Sequence, residues 1–335
     1  MRKRIKVSVV VPVYNGEKTI LRLLRALEKQ DFSHPFEVIV CDDGSRDNTV
    51  RVVRKFAKRA RIPVRVFANP HRGPAWQRNL GAKKARGEVI AFTDSDCIPG
   101  KNWLSEITRP IFSGEAVGVQ GTYRTYNKQS VIARFEGYEI EKRHERMKRE
   151  RNIDFIGTFS AAYRKDVFLK FGGFDESFPV ASGEDPELSY RIAKHGYKLL
   201  FAPRAWVYHE HPDTLKKYLK QKFYRAYWRV LMYSRHPDKM KGDSYTGLEV
   251  HGSVLFAGLF YCFLLLSPFN PALLVASFLC FLGFAAVNLS DIAFMAKKEK
   301  KMLVIAPFLL FLRTTAWILG FVAGLVNLKF LKRVS

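Results

Sequence analysis

Short apolar runs alternate with segments of helical spacing along the first two thirds of the chain. Runs rich in β-branched residues that end in polar turn residues predict strands, and apolar residues three and four positions apart predict helices. The predicted strands are residues 6–13, 36–41, 64–68, 88–92, 117–123 and 197–201. The predicted helices between the first five strands are residues 17–30, 50–60, 75–86 and 103–112. This alternation predicts an α/β fold with a mostly parallel, doubly wound sheet.

Polar turns follow three of these strands. They are residues 12–15, residues 42–45 and residues 94–96. Ligands of open α/β sheets bind just outside the carboxyl ends of the strands. Because parallel strands end at the same edge of a sheet, we expect all three turns to lie at one edge.

Asp94 and Asp96 place two carboxylates two positions apart at this edge. Such a pair could share one Mg²⁺ or Mn²⁺ and present it to a diphosphate, because these cations accept oxygen ligands and leave positions for phosphate oxygens. The alternative is a polar turn that binds nothing. Tyr14 offers a ring for base stacking, and Asp43 offers an acceptor for a base N–H or a ribose hydroxyl. Together these groups predict a nucleoside-diphosphate site, and neither G-x-x-x-x-G-K-S/T nor G-x-G-x-x-G occurs in the chain.

The composition limits the classes of partner that the protein is expected to bind. The chain has 335 residues and a formal net charge of +25, which would suit nucleic acid, an anionic membrane surface or a phosphorylated substrate. Its four cysteines form no C-x-x-C pair, so zinc ribbons and disulfide frameworks are not expected, and a reduced, cytosol-facing compartment fits. The basic start runs directly into the first strand, and we do not interpret it as a signal peptide.

Four motifs, taken in order, resemble those of family 2 glycosyltransferases over roughly residues 5–212. They are V-S-V-V-V-P-V-Y-N, V-C-D-D-G-S-R-D-N-T, R-N-L-G-A-K-K-A-R-G-E-V-I-A-F-T-D-S-D and G-G-F-D-E…G-E-D-P-E-L-S-Y-R. The resemblance implies the GT-A nucleotide-diphospho-sugar transferase fold and inversion of the anomeric centre. It also implies a UDP- or GDP-sugar donor and a divalent metal, Mn²⁺ or Mg²⁺.

The resemblance assigns roles by position. The implied nucleotide contacts are Pro12, Tyr14, Asp42, Asp43, Arg78, Asp94 and Ser95. The implied metal ligands are Asp94, Asp96 and a histidine after the last strand, either His209 or His211, with His209 preferred. The alternative for Arg78 is a solvated helix charge, and the alternative for the two histidines is a surface turn.

Asp185, in the sequence G-E-D-P-E, matches the family's general base. Inversion requires one carboxylate that takes the acceptor's proton as the acceptor oxygen attacks. The alternative is that Asp185 caps the helix that begins here, since Pro186 suits a first helical turn. Residues 134–151 are highly charged, which predicts a long solvated helix or, as the alternative, a lid on the acceptor side.

Residues 215–235 interleave Lys and Arg with aromatic residues. This pattern can bind nucleic acid, but apolar segments follow it, so we expect an interfacial helix on an anionic leaflet and no nucleic acid. The stretch lacks the Q-x-x-R-W motif of processive family members, which favours transfer of a single sugar over polysaccharide synthesis.

Three apolar segments follow, at residues 252–268, 271–296 and 302–328. The second and third are long enough to span a bilayer, and the first is marginal. Arg313 is costly in lipid, which favours a re-entrant or interfacial hairpin for the third segment. The basic residues 297–301 should face the cytosol. A buried soluble core is the alternative for all three segments.

The sequence therefore predicts three regions. They are a catalytic domain at 1–212, basic interfacial helices at 213–250 and transmembrane helices at 251–335. The predicted protein lies in the cell membrane with its catalytic domain on the cytosolic face, and transfers one sugar to a lipid-phosphate or lipid-linked glycan acceptor. A membrane-anchored protein that binds nucleotides or anionic lipids without turnover is the alternative from a different class.

Overall fold

The structure, a computed structural model, describes residues 4–178, 180 and 182–328. The chain folds as two compact units. Among the described residues, the first comprises 4–126 and 146–210, and the second comprises 127–145 and 211–328. The end of the predicted transmembrane region, residues 329–335, lies outside the described residues.

The first unit is built on an eight-stranded sheet. Its strands are β1 Val7–Val13, β2 Phe36–Asp42, β3 Val64–Ala68, β4 Val89–Thr93, β5 Ile98–Pro99, β6 Gly118–Thr125, β7 Ser160–Arg164 and β8 Leu199–His209. Its helices are α1 Ile20–Glu28, α2 Thr49–Ala57, α3 Pro74–Lys84, α4 Trp103–Phe112, α6 Lys165–Lys170 and α7 Glu184–Lys194. The strand order is β3-β2-β1-β4-β7-β6-β8-β5.

The sheet is mixed: six of its strands run in one direction, as the prediction of a mostly parallel sheet requires, and β7 and β5 run in the opposite direction. The strands β3, β2, β1 and β4 are parallel, as the alternation predicts, but β7 runs antiparallel to both β4 and β6. The chain reaches β7 after the excursion of residues 127–145 into the second unit. Successive strands are parallel when a crossover helix that packs on the sheet connects them. The connection to β7 is of a different kind, so this rule does not apply to β7.

The carboxyl ends of four strands meet at one edge. The strands β1, β2 and β4 are mutually parallel, which confirms the prediction that the three polar turns share an edge. The strand β8 is parallel to β6, and both are antiparallel to β7, so β8 ends at this edge too. Every residue of β1, β2 and β4 is buried, as expected for strands covered on both faces.

The second unit is helical in the part that the structure describes. Its helices are α5 Val131–Met147, whose last two residues belong to the first unit, α8 Leu215–Arg235, α9 Glu249–Leu266, α10 Ala272–Val287, α11 Leu289–Lys298 and α12 Met302–Val326. The helix α5 is not the solvated helix predicted for the charged stretch. Phe135, Glu136 and Glu139 are buried, because the two carboxylates pair with cations of other helices in this unit.

Two of the three apolar segments form helices long and apolar enough to cross a membrane, namely α9 and α12. The second segment, predicted to be long enough for one span, consists of α10 and α11, which pass the same test only as a pair and bend by 61° at Asn288, as in a broken span or a re-entrant loop. The Asn288 amide donates to the Phe284 carbonyl and to Ser253 Oγ. The third segment is one continuous helix and not a hairpin, because Arg313 is paired with Glu139.

Candidate active site

Arg78 joins two carboxylates at the common strand edge. Its guanidinium donates to Asp94 Oδ1 at 2.8 Å and to Glu184 Oε1 at 2.9 Å. The Arg78 side chain is only 3% exposed, so the alternative of a solvated helix charge is wrong. A buried guanidinium with two charged partners holds β4's end and the start of α7 in a fixed geometry.

Asp185 lies in the first turn of α7 and does not cap it. The N-cap residue is Gly183, whose φ of 122° suits glycine, so the capping alternative is wrong. One carboxylate oxygen of Asp185 accepts from the Thr158 backbone N–H at 3.3 Å. Burial raises the pKa of Asp185, although the nearby Arg78 opposes the shift. A carboxylate with a raised pKa is suited to accepting a proton near neutral pH.

Glu184 is a second carboxyl group of this cluster whose pKa is raised. Burial and the adjacent Asp185 raise its pKa to about 7, although Arg78 favours the ionised form. Glu184 Oε2 also accepts from the Ser182 backbone N–H at 2.8 Å. Perturbed carboxyl groups in contact with a buried cation are typical of functional sites.

Asp96, Cys97 and His209 form the candidate metal site. One ligand atom from each residue lies within 4.8 Å of the others, and His209 Nε2 is 3.5 Å from Asp96 Oδ2. Burial and the neighbouring carboxylates raise the pKa of the Cys97 thiol well above its usual range, which leaves the carboxylate and the imidazole as the better donors. A carboxylate and an imidazole are both common ligands of divalent metals.

The structure places the remaining predicted ligands differently. Asp94 is outside this group of three, and its Oδ1 accepts from Arg78. His209 is the last residue of β8 and faces Asp96, whereas His211 belongs to the second unit, where its backbone N–H donates to Asn127. The geometry therefore favours His209 over His211.

Asp43 organises the loop before α3. Its carboxylate accepts from the backbone N–H groups of Arg72 and Gly73 and from Gln77 Nε2 at 2.7 Å, and His71 Nδ1 lies 2.9 Å from it. A carboxylate with this many partners holds the loop in place at the strand edge.

Tyr14 and His71 form a ring pair above the sheet edge. Their centroids are 4.7 Å apart, and Tyr14 is 46% exposed, so one ring surface is accessible. His71 was not predicted from the sequence, where it appeared only as part of a loop. Its position beside Tyr14 depends on Asp43, which only the fold reveals.

The other predicted nucleotide residues lie at the same edge. Asp42 Oδ2 accepts from the Ser45 N–H at 3.0 Å, and its buried Oδ1 has no hydrogen-bond partner in the described part of the chain. Pro12 is buried in β1. Ser95 Oγ lies 3.6 Å from the position that a Cβ on Gly16 would occupy, which places the turn after β1 beside the turn after β4.

The comparisons with known proteins agree with this arrangement. A family model described as glycosyl transferase family 2 matches residues 8–172. A pre-mycofactocin glycosyltransferase of Mycobacterium tuberculosis is 28% identical over 239 residues, 70% of this chain and 48% of the relative. The probable glycosyltransferase YdaM of Bacillus subtilis is 28% identical over 233 residues, 66% of this chain and 54% of the relative. This chain thus spans about half the length of these relatives.

A solved structure supports the fold. The mannosyltransferase PcManGT from Pyrobaculum calidifontis, in complex with GDP-Man and Mn²⁺, has a TM-score of 0.59 and 19% identity, over 98% of this chain and 87% of that one. At this identity the likeness concerns the fold. The first unit therefore has the GT-A-like fold expected from the sequence, with a mixed sheet.

Proposed function

We propose that this chain, whose residues 8–172 match the model of glycosyl transferase family 2, is an inverting, metal-dependent glycosyltransferase of that family, anchored in a membrane. The family domain and the glycosyltransferase relatives support transferase activity. The observation that carries the proposal is the Arg78 bridge, which ties the D-x-D carboxylate Asp94 to Glu184, the neighbour of Asp185.

The donor is a UDP- or GDP-sugar bound at the strand ends. Its base lies against the Tyr14 ring, and Asp42, Asp43 and the turn after β4 surround the ribose and the diphosphate. The residues that would hold a divalent metal are Asp94, Asp96 and His209. A bound Mn²⁺ or Mg²⁺ would supply positive charge to the departing diphosphate, so no second acid is required.

Asp185 acts as the general base. Its carboxylate takes the proton from the acceptor oxygen while that oxygen bonds to the anomeric carbon from the side opposite the diphosphate. The bond between the anomeric carbon and the diphosphate oxygen breaks, and its electron pair leaves with the diphosphate. The configuration at the anomeric carbon is inverted, and the raised pKa of Asp185 favours this proton transfer.

The acceptor is a lipid-phosphate or a lipid-linked glycan at the cytosolic face of the membrane. The apolar helices α9 and α12 support membrane anchoring. The helix α8 carries lysines that are exposed on its surface, which suits an anionic leaflet. The absence of Q-x-x-R-W from the sequence favours the transfer of one sugar.

Release of nucleoside diphosphate tests the proposal. We expect UDP-glucose, UDP-N-acetylglucosamine or GDP-mannose to yield its diphosphate with Mn²⁺ or Mg²⁺ and a detergent extract of membrane lipids, and not with EDTA. His209→Ala should raise the Mn²⁺ concentration needed. The control His195→Ala, at an exposed position after α7, should behave as the wild type.

Two results would contradict the proposal. The first is nucleotide binding without diphosphate release under any of these conditions, which would favour the binding protein. The second is full activity in EDTA, which would show that transfer requires no divalent metal.

A further inference from the structure

Residues 156–158 form a short segment of the first unit that packs against Asp185. The backbone N–H of Thr158 donates to Asp185 Oδ2 at 3.3 Å. A Cβ on Gly157 would lie 3.6 Å from the same oxygen, so the backbone of the segment is close to the carboxylate. The position of this segment therefore determines the surroundings of one oxygen of Asp185.

The other two backbone N–H groups of the segment are also bonded to side chains. The Gly157 N–H donates to Gln120 Oε1, and the Ile156 N–H donates to Ser189 Oγ at 3.1 Å. Buried backbone donors require partners, and here side chains of β6 and α7 provide them. Three successive N–H groups thus have side-chain acceptors from outside the segment, which lies before β7 begins.

Gln120 is a polar residue in the interior of β6 and is only 1% exposed. A buried amide is costly unless it is hydrogen-bonded. Both ends of this amide are bonded, because Oε1 accepts from Gly157 and Nε2 donates to the Gly121 carbonyl at 2.7 Å. Rotating the amide by half a turn would lose both bonds. The acceptor for Gly157 is therefore held in one orientation.

Ser189 connects the segment to the helical turn that carries Asp185. It is buried in α7, four positions after Asp185 and therefore about one turn away. Its hydroxyl lies 3.0 Å from the Pro186 carbonyl oxygen and 3.3 Å from that of Asp185, to either of which it can donate. The hydroxyl oxygen still accepts from Ile156, so one side chain joins the segment to the start of the helix.

The bond from Thr158 leaves the second oxygen of Asp185 for an acceptor. Among the described residues, no other residue donates to Asp185 Oδ1. Burial raises the pKa of Asp185, and the Arg78 charge and the Thr158 N–H oppose this rise because they favour the ionised form. A general base must present a lone pair within hydrogen-bond reach of the proton, and a carboxylate fixed at one oxygen presents the other in a defined direction.

We propose that Gln120 and Ser189 are positioning residues for the general base. By holding residues 156–158, they keep the Thr158 N–H against Asp185 Oδ2 and direct Oδ1 toward the acceptor. They act through Asp185 and do not contact the reacting atoms. The inference rests on the proposed function, because it requires that Asp185 takes the acceptor's proton.

The test is the kinetics of Ser189→Ala and Gln120→Met, measured as release of nucleoside diphosphate by the full chain in a mild detergent. Each variant removes one acceptor and keeps a side chain of similar size. We expect kcat to fall roughly 10- to 100-fold, because a small misplacement of a catalytic group has an effect of this size. KM for the donor should be unchanged, since its binding does not involve the base. Ser189→Thr keeps the hydroxyl and should retain more of kcat than Ser189→Ala does.

The matched control is Ser8→Ala. Ser8 is also buried, and its hydroxyl oxygen also accepts from backbone N–H groups, those of Arg86 and Gly87. It lies near the start of β1, at the edge of the sheet opposite the candidate site. We expect Ser8→Ala to lower the melting temperature as Ser189→Ala does and to leave kcat unchanged.

The double variant Ser189→Ala/Asp185→Asn tests whether Ser189 acts through the base. If it does, Ser189→Ala should cause no further loss of transfer once Asp185 has been replaced, because the effects of coupled residues are not additive. If Gln120→Met fails to fold, as judged by thermal unfolding, Ser189→Ala decides the question, since it removes a single hydroxyl.

Hydrogen exchange followed by mass spectrometry measures the hold on the segment without any transfer reaction. Peptides that contain residues 156–158 should exchange faster in Ser189→Ala and in Gln120→Met than in the wild type, because bonded amides exchange only after local opening. In Ser8→Ala these peptides should exchange as in the wild type.

Four results would overturn the inference. They are wild-type kcat in Ser189→Ala and Gln120→Met, an equal fall of kcat in Ser8→Ala, an equal effect of Ser189→Ala with and without Asp185, and wild-type exchange of residues 156–158 in both variants. Failure of the proposed function is distinguishable from these. It would appear as full transfer by Asp185→Asn or as no transfer by the wild type, whatever the exchange of residues 156–158 shows.

Discussion

At the scale of single residues, one buried guanidinium determines how the site is assembled. Arg78 lies 16 positions from Asp94 and 106 positions from Glu184, and it bonds to both. The sequence motif indicated a basic residue near the nucleotide, but no local pattern could predict the bond to Glu184. We therefore expect substitution of Arg78 to destabilise the protein more than substitution of an exposed arginine does.

Arg78→Gln should destabilise the protein strongly. Removing one partner of a buried ion pair leaves uncompensated charges at Asp94 and Glu184, which costs about 3–5 kcal/mol. The control Arg164→Gln removes an exposed pair with Asp166, for which about 1 kcal/mol or less is expected. Chemical denaturation measures both free energies of unfolding, and similar small losses in the two variants would refute the structural role of Arg78.

The raised pKa of Glu184 predicts a dependence of stability on pH. Because the pKa is about 7 in the folded state and 4.5 is its ordinary value, the folded protein retains this proton to higher pH than the unfolded chain does. The protonated Glu184 therefore contributes its full stabilisation of the folded state below about pH 4.5, and this contribution is lost as the pH rises to about 7.

Glu184→Gln cannot ionise and isolates this effect. The free energy of unfolding of the wild type, relative to that of Glu184→Gln, should fall by up to about 3 kcal/mol between pH 4.5 and 7. Thermal or urea unfolding at several pH values measures the difference. A constant difference across this window would show that Glu184 titrates normally.

At the scale of helices and strands, the sequence predicted the features that depend on residues close together along the chain. The bounds of α4 and α8 agree with the predicted residues 103–112 and 215–235, since apolar spacing and composition change clearly at their ends. The parallel arrangement of β1, β2 and β4 followed from the alternation of strands and helices. The polar turns at their shared edge were predicted for the same reason.

The features that the sequence could not predict depend on residues that are far apart along the chain. The direction of β7 is set by its pairing with β4 and β6 and not by its own residues. Arg313 looked too costly for an unbroken apolar helix, because its partner Glu139 is 174 positions away. The same pairing explains why α5, though highly charged, is partly buried.

The packing of α12 on α8 relies on two glycines. A Cβ on Gly320 would meet the backbone carbonyl group of Phe223, and one on Gly324 would lie 2.6 Å from the Tyr227 carbonyl oxygen. Small residues four positions apart allow helices to approach closely. The side chains of larger residues would force the two helices apart.

Gly320→Ala should therefore lower the stability by about 1–3 kcal/mol, the usual cost of overpacking. The control is Gly258→Ala in α9, where a Cβ would meet nothing within 4 Å. We expect the control to be neutral or slightly stabilising, because alanine favours the helix. Thermal unfolding in detergent compares the two, and equal melting temperatures would contradict the close packing.

At the scale of the whole molecule, charge and apolar surface are both compatible with a membrane protein. The net charge of +25 predicts attraction to anionic lipids, and the two apolar helices predict insertion. The two contributions respond differently to salt. Screening by salt weakens the attraction between charges and does not weaken the insertion of apolar helices. Membrane extraction can therefore distinguish an inserted protein from one that is bound only by charge.

We expect the full chain to remain with the membrane fraction after washes with 1 M salt, where the Debye length is about 3 Å, and with alkaline carbonate. Detergent should be needed to release it. Complete release by salt alone would show that the protein is held by surface charge, and the proposed anchoring by α9 and α12 would then be wrong.

The central claim is that Asp185 takes the acceptor's proton at a site that binds the donor independently. The most direct measurement compares sugar transfer and nucleotide-sugar binding in the wild type and in Asp185→Asn, which keeps the shape of the side chain. We expect Asp185→Asn to lose transfer by roughly 10²–10⁴-fold, typical of removing a general base, and to retain its affinity for the donor. Full transfer activity in Asp185→Asn would contradict the central claim.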